Sequence, residues 1–132
     1  MTWVNVALSD ALPAYRPGES LEAEAEWELD GDGSALELRL CWRIESPSGS
    51  PDPVVVRTER LEGLDSKGRR KIRVELPDGP WSFEGKLFSV EWFVEVASGD
   101  HISRKARFVL SPTGEPIRTR ADAGADVESA SE

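Results

Sequence analysis

A chain of 132 residues with one cysteine, one histidine and a formal charge of -9 excludes several kinds of protein. The length suits one domain with a core of its own, the lone Cys41 rules out an internal disulfide and points to a reducing compartment, and the acidic balance argues against nucleic acid as a partner, since phosphate binding needs a positive field. No apolar run approaches the ~20 residues of a membrane-spanning helix, and MTWVNVALSD lacks the basic start and apolar stretch of a signal peptide, so the expected setting is the cytoplasm.

The predicted elements are strands, read from period-two alternation. Trp3 to Leu8 is the first. YRPGES (residues 15–20) is a turn, with Pro17 fixing one dihedral and Gly18 relieving the next. In SLEAEAEWEL (20–29), Leu21, Ala23, Ala25, Trp27 and Leu29 share one face, and Glu22, Glu24, Glu26 and Glu28 share the other. Its residues are good helix formers, but a helix would scatter the apolar set around its axis, so the period argues for a strand. LDGDGSAL is a hairpin connection. From Ala35 to Glu45, Leu36, Leu38, Leu40, Trp42 and Ile44 point inward while Glu37, Arg39, Cys41, Arg43 and Glu45 point out. SPSGSPDP is a loop. Val54 to Leu61 is a strand whose flanking prolines favour an edge.

Further along, Lys71 to Leu76 carries Ile72, Val74 and Leu76 inward. Leu87 to Val96 carries Phe88, Val90, Trp92, Val94 and Val96 inward. Ile102 to Leu110 closes the set. Seven strands with frequent turns imply an antiparallel β-sandwich of seven or eight strands, its core anchored by Trp27, Trp42 and Trp92, each needing a partner for its indole N–H. The domain is expected to span residues 1–112. After Pro112 the chain turns small, polar and acidic, and residues 113–132 are expected to form a disordered tail.

Three stretches together resemble the arrestin family. YRPGESLEAEAEWEL looks like an early strand entered through an aromatic-x-Pro-Gly turn. KIRVELPDGPWSFEGK looks like the strand, Leu-Pro and loop element, with Pro80, Ser82, Phe83 and Gly85 in the small-and-aromatic signature. LFSVEWFVEV looks like the long strand that follows. The resemblance covers about residues 3–110 and implies an arrestin-like sandwich, related in architecture to immunoglobulin domains, although the cysteine pair of the latter is missing. It also implies a binding scaffold whose partner contacts lie on edges and loops, with Phe83 plugging the end of the core. Arrestins carry two such domains; this chain has room for one, so their phosphate-sensing machinery is not carried over.

Catalysis needs a nucleophile, base or metal set within mutual reach, and the pattern offers none. His101 falls in a turn. Cys41 lies between Arg39 and Arg43, which would lower a thiol pKa, but a free cysteine more often behaves as a buried hydrophobe. Asp30-Gly31-Asp32-Gly33-Ser34 opens like a calcium loop, yet the sixth and twelfth positions are Ala35 and Cys41 rather than Gly and Glu. No cofactor or metal is expected, and no enzyme.

The candidate sites are surfaces. Val54, Val55 and Val56 offer an edge for strand addition, against which Pro51, Pro53 and Arg57 stand as guards. Phe93 falls on the outward phase between Glu91 and Glu95, where it either lies beneath a neighbouring loop or meets a partner. Trp81 is a loop aromatic suited to anchoring a partner. Lys67, Arg69, Arg70, Lys71 and Arg73 form the one dense basic cluster, a candidate for phosphate, anionic lipid or an acidic protein; the plainer reading pairs them across strands with the Glu22–Glu28 ladder. The expected function is a protein-interaction or scaffold module with a protein partner. A subunit of a larger assembly, a lipid- or phosphate-binding module and a carbohydrate-binding module are the alternatives, and self-association is compatible with all of them.

Overall fold

The computed structural model describes residues 2–9, 13–30, 34–98 and 102–118. Among them there is no helix, and ten strands run in chain order: β1 (Trp3–Ala7), β2 (Ala14–Tyr15), β3 (Ser20–Glu28), β4 (Ser34–Glu45), β5 (Val54–Leu64), β6 (Lys67–Glu75), β7 (Phe83–Glu84), β8 (Ser89–Ser98), β9 (Ile102–Leu110) and β10 (Ile117–Arg118). The seven long ones are the seven predicted strands. They form a sandwich of a three-stranded sheet, β1-β3-β6, and a seven-stranded sheet. In the larger sheet β8 is the hub. It pairs antiparallel with β4 along one side, and along the other with β7 near its start and with β9 from Trp92 onward. β5 closes the sheet beyond β4, and β2 and β10 add short parallel pairings to β9 and β7.

β3 shows why alternation prevails over propensity. Leu21, Ala23, Ala25 and Trp27 are all buried while the glutamates between them are not. A strand puts successive side chains on opposite faces, so this sequence buries its whole apolar set at once, a gain that outweighs a few tenths of a kcal/mol per residue of helix preference. The opposing layer supplies Leu36, Leu38 and Leu40 from β4 and Trp92, Val94 and Val96 from β8, all 0–1 % exposed. Burying one tryptophan of this kind removes roughly 150–250 Å² from water, about 4–6 kcal/mol before entropy is counted.

The indoles find their hydrogen-bond acceptors in loops. Trp27 Nε1 donates to the Asp65 carbonyl at 2.9 Å, and Trp92 Nε1 donates to the Pro80 carbonyl at 2.6 Å. Trp27 faces Gly68 on β6. A β-carbon at residue 68 would sit 2.9 Å from Cζ2 of the indole, so glycine is what lets the ring lie flat across the neighbouring strand. Gly18, in the expected turn, takes φ +85°, a conformation that costs glycine little.

Four expectations need correction. β5 and β6 are longer than alternation suggests, because Gly63 at φ +65° and Gly68 let the chain continue through positions that break the apolar pattern. β8 starts at Ser89, so Phe88 is not an inward core residue; it is 41 % exposed. Phe93, on the outward phase, is buried at 2 % exposure. The chain also stays ordered past Pro112. Ser111 is fully buried, its Oγ donates to the Glu115 carbonyl at 2.6 Å, and the Ile117 N–H reaches the Ser82 carbonyl at 2.8 Å. Backbone pairing holds this segment where composition suggests a tail; residues 119–132 lie outside the described residues.

Candidate functional site

The surface features gather at one end of the large sheet. β4 finishes there, while β5 and β8 begin there, as the register pairs Trp42 with Val54, Ile44 with Val90 and Glu45 with Ser89. β7 lies alongside, with Phe83 opposite Val90. Trp42, Ile44, Val90 and Phe83 share the phase of the core residues yet are only half-buried. Three strands cannot cover a sheet of seven to its rim, and this is where the cover ends.

Exposed apolar side chains continue the strip. Among the described residues the large exposed hydrophobics are Trp3, Val54, Val55, Val56, Trp81, Leu87 and Phe88, and all but Trp3 lie at this end. Val54, Val55 and Val56 are 44, 50 and 41 % exposed on the outermost strand. Phe88 packs on Phe83 with ring centroids 5.1 Å apart, so Phe83 is half-buried under a neighbour at the rim. Trp81 donates its indole N–H to the Asp78 carbonyl at 2.8 Å, which holds the ring outward, 45 % exposed. Its loop is braced from behind, since the Ser82 N–H donates to the Leu110 carbonyl at 2.7 Å and Ser82 Oγ accepts from the Leu110 N–H at 2.9 Å. A groove of about 290 Å³ opens where β8 changes partners, lined by Ser82, Glu84, Ser89, Glu91, Trp92 and Arg107 among others.

The edge itself is uneven. The β4–β5 register slips between Leu40 and Cys41, which leaves Val56 as an extra residue. Past it, Arg57 and Glu59 take the inward phase opposite Leu40 and Leu38 but stay exposed. A bulge and inward-pointing charges both discourage strand addition. They guard residues 57–60 and leave the three valines open.

Phe93 belongs elsewhere. It sits opposite Cys41 on the outer face of the large sheet, capped by Lys105 Nζ at 4.9 Å and Arg43 Cζ at 5.6 Å from the ring centroid. Arg43 is held by Glu45 at 2.7 Å and Glu91 at 3.7 Å, and beside it Arg39 meets Glu95 at 3.3 Å. Long charged side chains lay their stems over apolar surface while their heads stay wet, so the aromatic is sealed with no partner needed. The same lid covers Cys41, 1 % exposed. Its thiol is pushed up to about 11, by desolvation first and by Glu95 second, against the opposing pull of Arg39 and Lys105. The flanking arginines do not activate it.

The basic cluster occupies β6, the outer strand of the small sheet. Lys67, Arg69, Lys71 and Arg73 stand directly across from Glu28, Glu26, Glu24 and Glu22. Arg70 takes the opposite phase, across from Ala25, and is exposed at the lip. Of the sequence-derived site residues, then, Val54, Val55, Val56 and Trp81 come to one end, Phe93 is covered, and the bases form a separate edge. Sequence reasoning missed Leu87 and Phe88. Two apolar residues in a row at the mouth of an alternating strand cannot both face a core, and that is the signal that marks them. His101 and residues 31–33 of the aspartate-glycine turn lie outside the described residues.

No protein-family model matches the chain, and none of the curated proteins matches it. Solved structures do. The chain is similar to Spo0M, a sporulation control protein from Bacillus subtilis, with a TM-score of 0.58 and 18% identity over 83% of this chain and 49% of that one. It is also similar to a region of a β-glucosidase from Listeria innocua solved with isofagomine, at a TM-score of 0.50 and 14% identity over 88% of this chain and 17% of that one. The chain therefore spans about half the length of Spo0M and a small part of the glucosidase. At such identities the likeness is one of fold, and the fold is an all-β sandwich resembling that of Spo0M.

Proposed function

We propose that this domain is a non-catalytic interaction module, an arrestin-like sandwich that docks a protein partner at the open end of its large sheet. The observation that carries the reading is the segregation of exposed apolar side chains: among the described residues, six of the seven large ones stand at that end. Scattered surface hydrophobics are ordinary, but a set gathered at one end of a sheet points to an interaction site. The mechanism is contact with Val54–Val56 and the ring of Trp81, with the backbone of the first residues of β5 available for pairing. Indole and valine surface exclude water from the contact, and paired backbone groups fix its direction. A reducing cytoplasm is the matching setting for a domain whose single thiol is sealed.

The test is affinity purification from the native cell with the wild-type chain and the variant Val54→Lys/Val56→Lys. Both positions are exposed, so the variant should keep its dichroism spectrum and melting temperature. Loss of the co-purifying protein supports the reading. Equal recovery of that protein by the folded variant rejects docking at this edge.

A further inference from the structure

We infer that the free edge of β6 is a second docking edge, built to take an extended acidic segment of a partner protein with Asp or Glu at every second residue. Among the described residues β6 pairs only with β3, so its other side presents unpaired backbone groups. Its register with β3 runs unbroken from Ser20–Glu75 to Glu28–Lys67. Nothing on this strand resembles the bulge of β5, and it contains no proline.

The bases decide what can pair there. Lys67, Arg69, Lys71 and Arg73 project from one face at two-residue intervals, about 6.8 Å apart, and all are exposed. β3 supplies the pattern of an acceptable neighbour, with a glutamate opposite each of them. That neighbour leaves capacity unused. Arg69 lies 3.3 Å from Glu26 and 3.8 Å from Glu24, while Lys67, Arg70, Lys71 and Arg73 have no carboxylate within ion-pair distance among the described residues. Each can turn to a strand on its other side, where opposite charges directly across stabilise and like charges destabilise. A second copy of β6 would set base against base, so the edge excludes self-pairing and selects for acid.

The geometry favours a strand over other anions. An extended chain with an acid at every second residue repeats its charge at the spacing of these bases. A flat anionic surface laid on this sheet would meet Glu22, Glu24, Glu26 and Glu28 one strand away, about 4.8 Å, and be repelled. A segment joining in the plane of the sheet meets the bases first. This edge belongs to the other sheet from Val54–Val56, so it stands or falls independently of the docking end proposed above.

The experiment uses the full chain and a fluorescein-labelled peptide, SLEAEAEWEL, the sequence that β6 already accepts on its inner side. Anisotropy should report binding that weakens as salt is raised. A peptide with Gln in place of each Glu should bind about tenfold more weakly, and Lys71→Gln/Arg73→Gln should give a comparable loss. Thr58→Gln, on β5 of the other sheet, should change nothing. If the double glutamine variant does not fold, Lys67→Gln, on the same face of β6 as the other bases, takes its place. Failure of the acidic peptide to bind, or equal binding of its glutamine counterpart, overturns the inference. Sedimentation with phosphatidylserine vesicles in the absence of peptide binding also overturns it, in favour of lipid.

Discussion

β5 and β6 are consecutive in sequence, separated only by Asp65 and Ser66, yet they guard opposite sheets by opposite means. β5 is protected by shape. A bulge at Val56 and inward charges at Arg57 and Glu59 spoil its pairing edge, and its unguarded part is apolar. β6 is protected by charge. Its backbone is regular, and five bases decide what approaches. A bulge refuses every strand alike, whereas a row of bases refuses basic strands and admits acidic ones. Open edges are a hazard that folded proteins must blunt, and the choice of device sets how selective the remaining edge is.

The comparison can be broken from the core outward. Trp92 supports the apolar end from within, packing 5.9 Å from Phe108 and holding the Pro80 carbonyl behind Trp81. Trp92→Ala should cost about 3–5 kcal/mol. In urea unfolding it should shift the midpoint more than any edge substitution, and if the loss is under 1 kcal/mol the end is not held by this residue.

Gly68→Val tests the other edge. Its side chain would enter the space of the Trp27 ring, so a loss of about 1–3 kcal/mol is expected, with weaker amide protection concentrated on β6 in hydrogen exchange. Protection lost equally on β5 would show that the two edges are not independent.

The smallest effect concerns Cys41, which lies opposite Val55 on the strand next to the edge. Native protein should resist iodoacetamide at pH 8 and react fully in denaturant, as followed by mass spectrometry. Val54→Lys/Val56→Lys should not speed labelling, because the lid over the thiol is made by charged side chains on β4, β8 and β9. The sign of the pH effect follows from the raised thiol pKa. The unfolded thiol ionises near 9.0 and the folded one near 11, so the stabilising contribution is complete below pH 9 and is lost as pH rises through 11. A Cys41→Ala variant should show a flatter stability profile across that window.

Much of the sandwich can be read from single residues. Leu21 to Leu29 alternates so strictly that its faces are assignable without a partner, because side-chain direction in a strand is a local property. The same logic picks out the interiors of β4, β8 and β9. It fails at Phe93, where alternation says outward and the structure says buried, since the cations that cover the ring come from β4 and β9. It fails at Phe88 because alternation does not reveal where a strand begins. Val54–Val56 was legible as an edge from its prolines, but its meeting with Trp81 and Phe88 at one end depends on strand order.

From its sequence alone this chain was bound to form amphipathic strands with an acidic face on β3 and a basic face on β6, because alternation and charge are properties of short segments. Only the tertiary structure decided that those two strands lie side by side in register, that β5 and β6 are left with open edges, and that Ile117 returns to pair with Phe83. Those outcomes depend on which distant segments become neighbours. The two sheets settle that jointly, by burying Trp27 and Trp92 between them and finding each indole N–H an acceptor.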